Sequence, residues 1–329
     1  MKATLSMIRS AAQGCARVEE TETGIHFYRF TKAQEDFYCS YNGDFYWKSF
    51  ATAGVRLEFV TDSTTLSLDT ACILASSRKD AFHDIFCNGQ LIAHLGGEVL
   101  GEVAGNETCF EGTFHLGNGA KTIQIYFPWC AVSVLRALEL DDGATFSPVK
   151  RPNQMLIFGD SITHGYDAFY PSQTYTSILA NKLNANARNK GIGGEKFVPQ
   201  LLDEPEDNNP TVITVAYGTN DWATLTLDEL ENGIKNFYSK LSATYPNAKI
   251  FAISPIWRSN ENEETKAGKF LEVHERIVRL TENLPNVTVL NGYYLVPHDK
   301  SMFSDGLHPN AVGSAYYGLN LAEKILKLL

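Results

Sequence analysis

No stretch of this sequence is long and apolar enough to read as a membrane-spanning helix without meeting a charge or a turn signal. Basic charge is also in short supply. Lys and Arg number 28 against 38 Asp and Glu, a formal charge of −10, and the acidic excess is spread over both halves. That balance argues against nucleic acid or an anionic membrane surface as a partner. Closely paired cysteines are missing too. Cys15, Cys39, Cys72, Cys87, Cys109 and Cys130 show no zinc-knuckle or redox-pair spacing, and no His, Cys and carboxylate cluster has metal-site spacing, so neither a metal nor another cofactor is expected. Three disulfides are arithmetically possible, but buried free thiols in a reducing compartment fit at least as well in a chain of this size. The first nine residues lack the apolar core of a signal peptide. This points to the cytoplasm, or to secretion if a leader has been removed. Nothing in the sequence bears on oligomeric state.

What is present is an ordinary globular composition, 44% apolar and 20% charged, over 329 residues, a comfortable length for two domains. Residues 1–150 read as β-rich. Apolar and polar residues alternate over 55–59, 64–69, 121–127 and 131–140, the period of antiparallel strands covered on one side. Asn88-Gly89, Gly96-Gly97 and Asn118-Gly119 read as turns between them. Many short strands without long helical periodicity predict a jelly-roll-like sandwich. An aromatic-rich run, Phe37, Tyr38, Tyr41, Phe45, Tyr46, Trp47 and Phe50, fits either sandwich core or a platform for a sugar ring.

Residues 142–153, with Gly143, Pro148 and Pro152, read as a linker into a second domain at 151–329. There strands alternate with helices. Strands are expected over 154–158, 186–189, 211–217, 249–254 and 287–290. Helices are expected near 174–184, 228–244, 263–283 and 311–328. This pattern makes a five-stranded parallel sheet with helices on both faces, a three-layer α/β/α arrangement.

Each candidate polar residue of this half follows a strand or sits in a loop, where open α/β sheets bind ligands. Ser161 follows the first strand in Gly159-Asp160-Ser161, and Gly194 lies in the loop after the second. Asn220 lies in Gly218-Thr219-Asn220-Asp221 after the third. Asp305 and His308 lie in Asp305-Gly306-Leu307-His308-Pro309 before the last helix. A serine hydroxyl becomes a nucleophile when a base removes its proton and a third group orients that base. His308 can be that base and Asp305 its orienter. The backbone N–H groups of Ser161 and Gly194 and the side-chain amide of Asn220 can meet a forming oxyanion. Taken singly, each element has a bland alternative: Ser161 as a helix cap, Asp305-Gly306 as a turn, Asn220-Asp221 as a helix start. Taken together, four such loops around one sheet favour a site. Asp160 reads as a structural acceptor beside the nucleophile, and His164 as a loop histidine rather than a base. Trp257 and Arg258, after the fourth strand, fit either a surface stack or a wall that contacts substrate.

In order and spacing these four blocks resemble those of the SGNH (GDSL-type) hydrolases. The resemblance implies their three-layer fold, with Ser161 as nucleophile, Gly194 and Asn220 as oxyanion donors, His308 as base and Asp305 as its orienter. Within the second block Gly194 is the matching glycine, five residues after Asn189. A β-sandwich ahead of such a hydrolase, with the 159–165 segment, also resembles the acetylxylan esterase type of two-domain carbohydrate esterases. The expected activity is therefore removal of a small acyl group, acetyl first, from a carbohydrate through an acyl-enzyme. A lipase or thioesterase for longer chains is the alternative within this chemistry. A carbohydrate-binding protein without turnover is the alternative outside it, and it requires Ser161 and His308 to stand beyond hydrogen-bond reach.

Overall fold

The computed structural model describes residues 1–101 and 105–329. In the first part of the chain the alternating segments pair into two antiparallel sheets. One runs in the order Ala12–Gln13, Arg56–Thr61, Lys121–Tyr126, Asp80–Cys87, Gln90–Glu98, with Ser147–Pro148 also paired to Arg56–Thr61. The other runs Arg17–Thr21, Gly24–Tyr28, Ala131–Leu140, Thr65–Leu74, Thr108–His115. Leu57, Phe59, Ile123 and Ile125 of the first sheet meet Leu66, Leu68, Leu135 and Leu138 of the second in one buried core. Burial of each such side chain is worth about 1.5–3 kcal/mol, and their period-two spacing is what selects the strand.

Three details differ from the sequence expectation. Arg56 and Glu58, expected on a wet face, are 3% and 5% exposed. That face is covered by the second half of the chain: Arg56 donates to Asn181 Oδ1 at 2.7 Å and to the Ala185 carbonyl at 2.9 Å. Gly96-Gly97 is not a turn but lies inside the strand Gln90–Glu98, where a Cβ on Gly96 would come within 2.0 Å of the Ala81 carbonyl. The glycine lets two strands approach. Asn88-Gly89 is the hairpin turn, both residues having positive φ as a two-residue primed turn requires. Third, the aromatic run forms two helices, Lys32–Tyr41 and Gly43–Ser49. Thr31 and Gln34 make a reciprocal capping box at the first, and Asn42 accepts from Asp44 and Phe45 at the second. These helices pack Phe37, Tyr38, Phe45 and Tyr46 against Ile192, Val198 and Leu201 of the second half, not into the sandwich core.

The second half builds a five-stranded parallel sheet in the order Ala185–Asn189, Asn153–Gly159, Val212–Ala216, Lys249–Ile253, Val287–Leu290. Helices Tyr175–Lys182 and Ala311–Leu326 cover one face, where Leu179, Leu321 and Ile325 pack on Met155 and Ile157. Helices Leu227–Thr244 and Glu272–Thr281 cover the other, where Ile234, Phe237 and Ile277 pack on Leu156, Ile213 and Ile250. The fold is three-layered α/β/α. The chain leaves Asn153–Gly159 for one edge and then returns past it to Val212–Ala216, so the strand order reverses between these two. Such a switch point opens a crevice at the carboxyl ends of the strands. The helix expected over residues 263–283 is shorter, Glu272–Thr281, because Glu264–Thr265 and Gly268–Lys269 pair as a small hairpin. Among the described residues no helix is long and apolar enough to cross a membrane.

Candidate active site

The strand Asn153–Gly159 ends under a single helical turn, Ser161–His164. Gly159 is required there, since a Cβ would come within 2.0 Å of Thr163 Oγ1. Asp160 caps the turn by accepting the Ile162 N–H at 3.0 Å. Its carboxyl is buried, which pushes its pKa up to about 7 against the opposing pull of that hydrogen bond. Ser161 is the first residue of the turn, so its N–H has no partner within the helix.

His308 reaches this serine from the loop before the last helix. Its Nε2 lies 2.9 Å from Ser161 Oγ, and its Nδ1 lies 2.7 Å from Asp305 Oδ2. The other oxygen of Asp305 accepts the backbone N–H groups of Leu307 and His308 at 2.9 and 2.8 Å. Partial burial opposes ionisation of Asp305, but these donors and the imidazole outweigh it and hold the pKa down to about 2. A carboxylate fixed in this way keeps the imidazole oriented with Nε2 toward the serine.

The loop after Ala185–Asn189 runs beside the serine turn: the Ile192 N–H donates to the Gly159 carbonyl, and Asn189 Nδ2 donates to the Thr163 carbonyl at 2.7 Å. Gly194 turns there with φ +93°, in the left-handed region. Asn220 is the second residue of the helix Thr219–Thr224, and its Nδ2 donates to the Glu195 carbonyl at 3.0 Å, which ties it to the Gly194 turn. The structure thus brings the Gly194 loop, Asn220, Ser161 and His308 to one end of the sheet. A tetrahedral oxyanion on an attacked ester could be met there by N–H donors while the imidazole moves the proton.

Arg258 borders this place. Its Nη1 donates to Thr219 Oγ1 at 3.1 Å, next to Asn220, and burial lowers its pKa despite the nearby Glu263, Asp160 and Asp305 carboxylates. Trp257 does not form a wall. It is 9% exposed, packs in the core beside Phe303, stacks on His298 and donates Nε1 to Glu261. The apolar neighbours of the fourth strand claim its ring. His164 is buried, donates its Nε2–H to the Trp129 carbonyl, and has its pKa driven well below the usual histidine range, first by burial and then by Arg29. It is not placed to serve as a base.

Four residues near the site went unmarked in the sequence. Glu195 is fully buried and accepts the hydroxyls of Tyr38 and Tyr217; burial raises its pKa to about 8. Lys48 donates to the Gly193 carbonyl at 3.0 Å. Arg78 and Asp167 form a two-bond ion pair at 2.6 and 3.2 Å beside His308. Donor atoms of Asp167, Asp305 and His308 lie within 4.8 Å of one another, close enough in principle for a cation. The Arg78 guanidinium already supplies the positive charge there. A capping-box pattern at Thr31 was available as a signal for the helix that carries Tyr38. Nothing local distinguishes Arg78 or Asp167.

Residues 157–316 match the family model of the GDSL-like Lipase/Acylhydrolase family. Fold and match together support an esterase or acylhydrolase of this type. No curated protein matches the chain significantly in sequence. Among solved structures, a salicylyl-acyltransferase from a tetracycline biosynthetic pathway superposes with a TM-score of 0.79 at 18% identity, covering 96% of this chain and 94% of that one. A family two carbohydrate esterase from Clostridium thermocellum, in complex with cellohexaose, superposes with a TM-score of 0.67 at 15% identity, covering 84% and 93%. An acetyl xylan esterase from the rumen bacterium Butyrivibrio proteoclasticus gives 0.62 at 18%, covering 85% and 91%. At these identities the shared property is the fold, an SGNH-type α/β/α layer with a β-rich region ahead of it.

Proposed function

We propose that this protein is a serine esterase that removes a small acyl group, acetyl in the first instance, from a carbohydrate, with 1–150 and 151–329 as its two domains. The observation that carries the reading is the continuous chain from Ser161 Oγ through both nitrogens of His308 to Asp305, at 2.9 and 2.7 Å. Ser161 attacks the ester carbonyl as His308 takes its proton. The alkoxide leaving group then receives that proton, and water activated by the same imidazole releases the acid from the acyl-enzyme. Gly194, Asn220 and the Ser161 N–H stabilise the oxyanion. The contact at 2.9 Å speaks against a purely binding protein, which would need serine and histidine apart.

The groups around the serine are mostly polar: Arg78, Asp167, Asp305, Asn220 and Arg258. They suit a hydroxylated leaving group better than a long acyl chain. The carbohydrate esterases and the acetyl xylan esterase that share the fold agree with that choice. A second reading, transfer of the acyl group to an acceptor hydroxyl instead of water, draws on the likeness to the acyltransferase across both regions of the chain. One assay tests both: acetate release from acetylated polysaccharides and simple acetylated sugars, with and without added alcohols. Wild-type turnover with none in Ser161→Ala, both variants folded by circular dichroism, is expected. Undiminished turnover in Ser161→Ala would overturn the mechanism, and product only with an alcohol present would favour transfer.

A further inference from the structure

Two carboxylates converge on the Nδ1 side of His308, but only one holds it. Asp305 Oδ2 is at 2.7 Å and Asp167 Oδ2 at 3.8 Å. Asp167 sits in the loop that follows the serine turn, with φ +65°, and Phe169 two residues on has φ +66°. Neither is a glycine, so the loop is held in a backbone region that such residues seldom adopt, and something must hold it there. The holder comes from the other half of the chain. Arg78, between the strands Thr65–Leu74 and Asp80–Cys87, grips both oxygens of Asp167, places Nη2 4.0 Å from Asp305 Oδ2, and lays its guanidinium 5.2 Å from the centre of the Tyr166 ring. Tyr166 in turn packs its ring against the imidazole of His308, 5.6 Å between centres.

We infer that Arg78 is a positioning residue for the base: it neutralises Asp167 and holds it back, so that His308 answers to Asp305 alone. This rests on the assignment of Ser161 and His308 proposed above. Other charged and titratable groups facing this cluster are Tyr166 from the same loop as Asp167, His164 behind Tyr166, Arg258 across from Asp305, and buried Asp160 beneath the serine. None of these bonds Asp167 among the described residues. Asp167 is only 11% exposed, so without Arg78 its charge would be poorly screened by water. Two consequences follow. The imidazolium form is favoured by a second uncompensated anion, and the Nδ1–H gains a competing acceptor that turns the ring off Ser161.

The pH dependence of Ser161 labelling by a fluorophosphonate reads this directly, because phosphonylation needs the serine and its base but not the right sugar. In Arg78→Gln the acid limb of the labelling rate should move to higher pH by about one unit, the size expected of a bare carboxylate within about 4–6 Å, and the plateau rate should fall. Adding Asp167→Asn to that variant should return the limb to its wild-type position, which a merely structural loss would not do. Thermal unfolding of each variant separates folding failure from the effect. A limb that stays in place in Arg78→Gln, or a double variant that behaves like the single one, overturns the inference while leaving the nucleophile assigned. Absence of Ser161 labelling in the wild-type protein overturns the assignment and the inference with it.

Discussion

Phe45 lies against Gly194: a Cβ built on the glycine would stand 3.5 Å from the edge of that ring. The phenylalanine belongs to a short helix of the β-rich region, while the glycine belongs to the loop proposed to hold the oxyanion. A residue more than a hundred positions upstream therefore packs against the loop proposed to hold the oxyanion. With the attacked carbonyl proposed to sit beside this loop, the ring would limit the acyl chain, which makes a prediction about acyl size.

With p-nitrophenyl esters of two, four and eight carbons, kcat/KM should fall with chain length. Phe45→Ala should narrow the ratio between acetate and butyrate about tenfold, the range that one or two methylenes command in an apolar contact. The ratio measured in the variant decides it; an unchanged preference would place the acyl group elsewhere.

Asn220→Ala should lower kcat by about 10²–10³ with little change in KM, the usual cost of one oxyanion donor. Steady-state kinetics on an aryl acetate checks this. The lost bond to the Glu195 carbonyl should appear separately, as a small drop in melting temperature.

Glu195 gives a pH prediction for stability. Its pKa is raised by burial to about 8, so it stays protonated in the fold while the unfolded chain ionises it near the ordinary value of 4.5. Stability from this group is complete below that ordinary value and drains away as pH rises toward about 8. Buried Asp160 and Asp221, raised by burial to about 7 and 6, add slope of the same sign. Urea midpoints measured from pH 5 to 8 should therefore decline, and Glu195→Gln should flatten the decline. An equal slope in the variant would mean that the carboxyl ionises freely in the fold.

Arg29 is fully buried and donates to four carbonyls, those of Lys48 and Ala51 in its own region and those of Asn189 and Gly191 in the other. Arg29→Met should strand these acceptors and lower stability by at least about 3 kcal/mol, seen as an early unfolding midpoint. If the midpoint held, water would have to be replacing the guanidinium.

The parallel sheet and the loops that carry Ser161, Gly194, Asn220 and His308 are legible because each leaves a local mark. Continuous β-branched runs announce buried strands, and glycine or proline beside a polar residue announces a loop at a strand end. The segment before Glu272 misled because Glu, Lys and Ala favour a helix locally. In the fold, Trp222 donates its indole N–H to the Gly268 carbonyl and Thr265 donates its hydroxyl to the Trp222 carbonyl, which pins a hairpin instead. Trp257 could not be sorted by position, since a tryptophan after a strand serves core and cleft alike. Arg78 and Asp167 were invisible for a different reason. Their meaning lies entirely in a pairing across 89 positions of chain, which no periodicity or motif records.

Ala185–Asn189 is one of the two edge strands of the parallel sheet, and its free side is met by single atoms rather than another strand. Arg56 donates to the Ala185 carbonyl, Gly14 to Asn186 Oδ1, and Arg29 to the Asn189 carbonyl. Open edges recruit other chains and seed aggregates. The upstream region thus caps this edge, and a fragment trimmed to the parallel sheet and its helices should be insoluble before it is inactive.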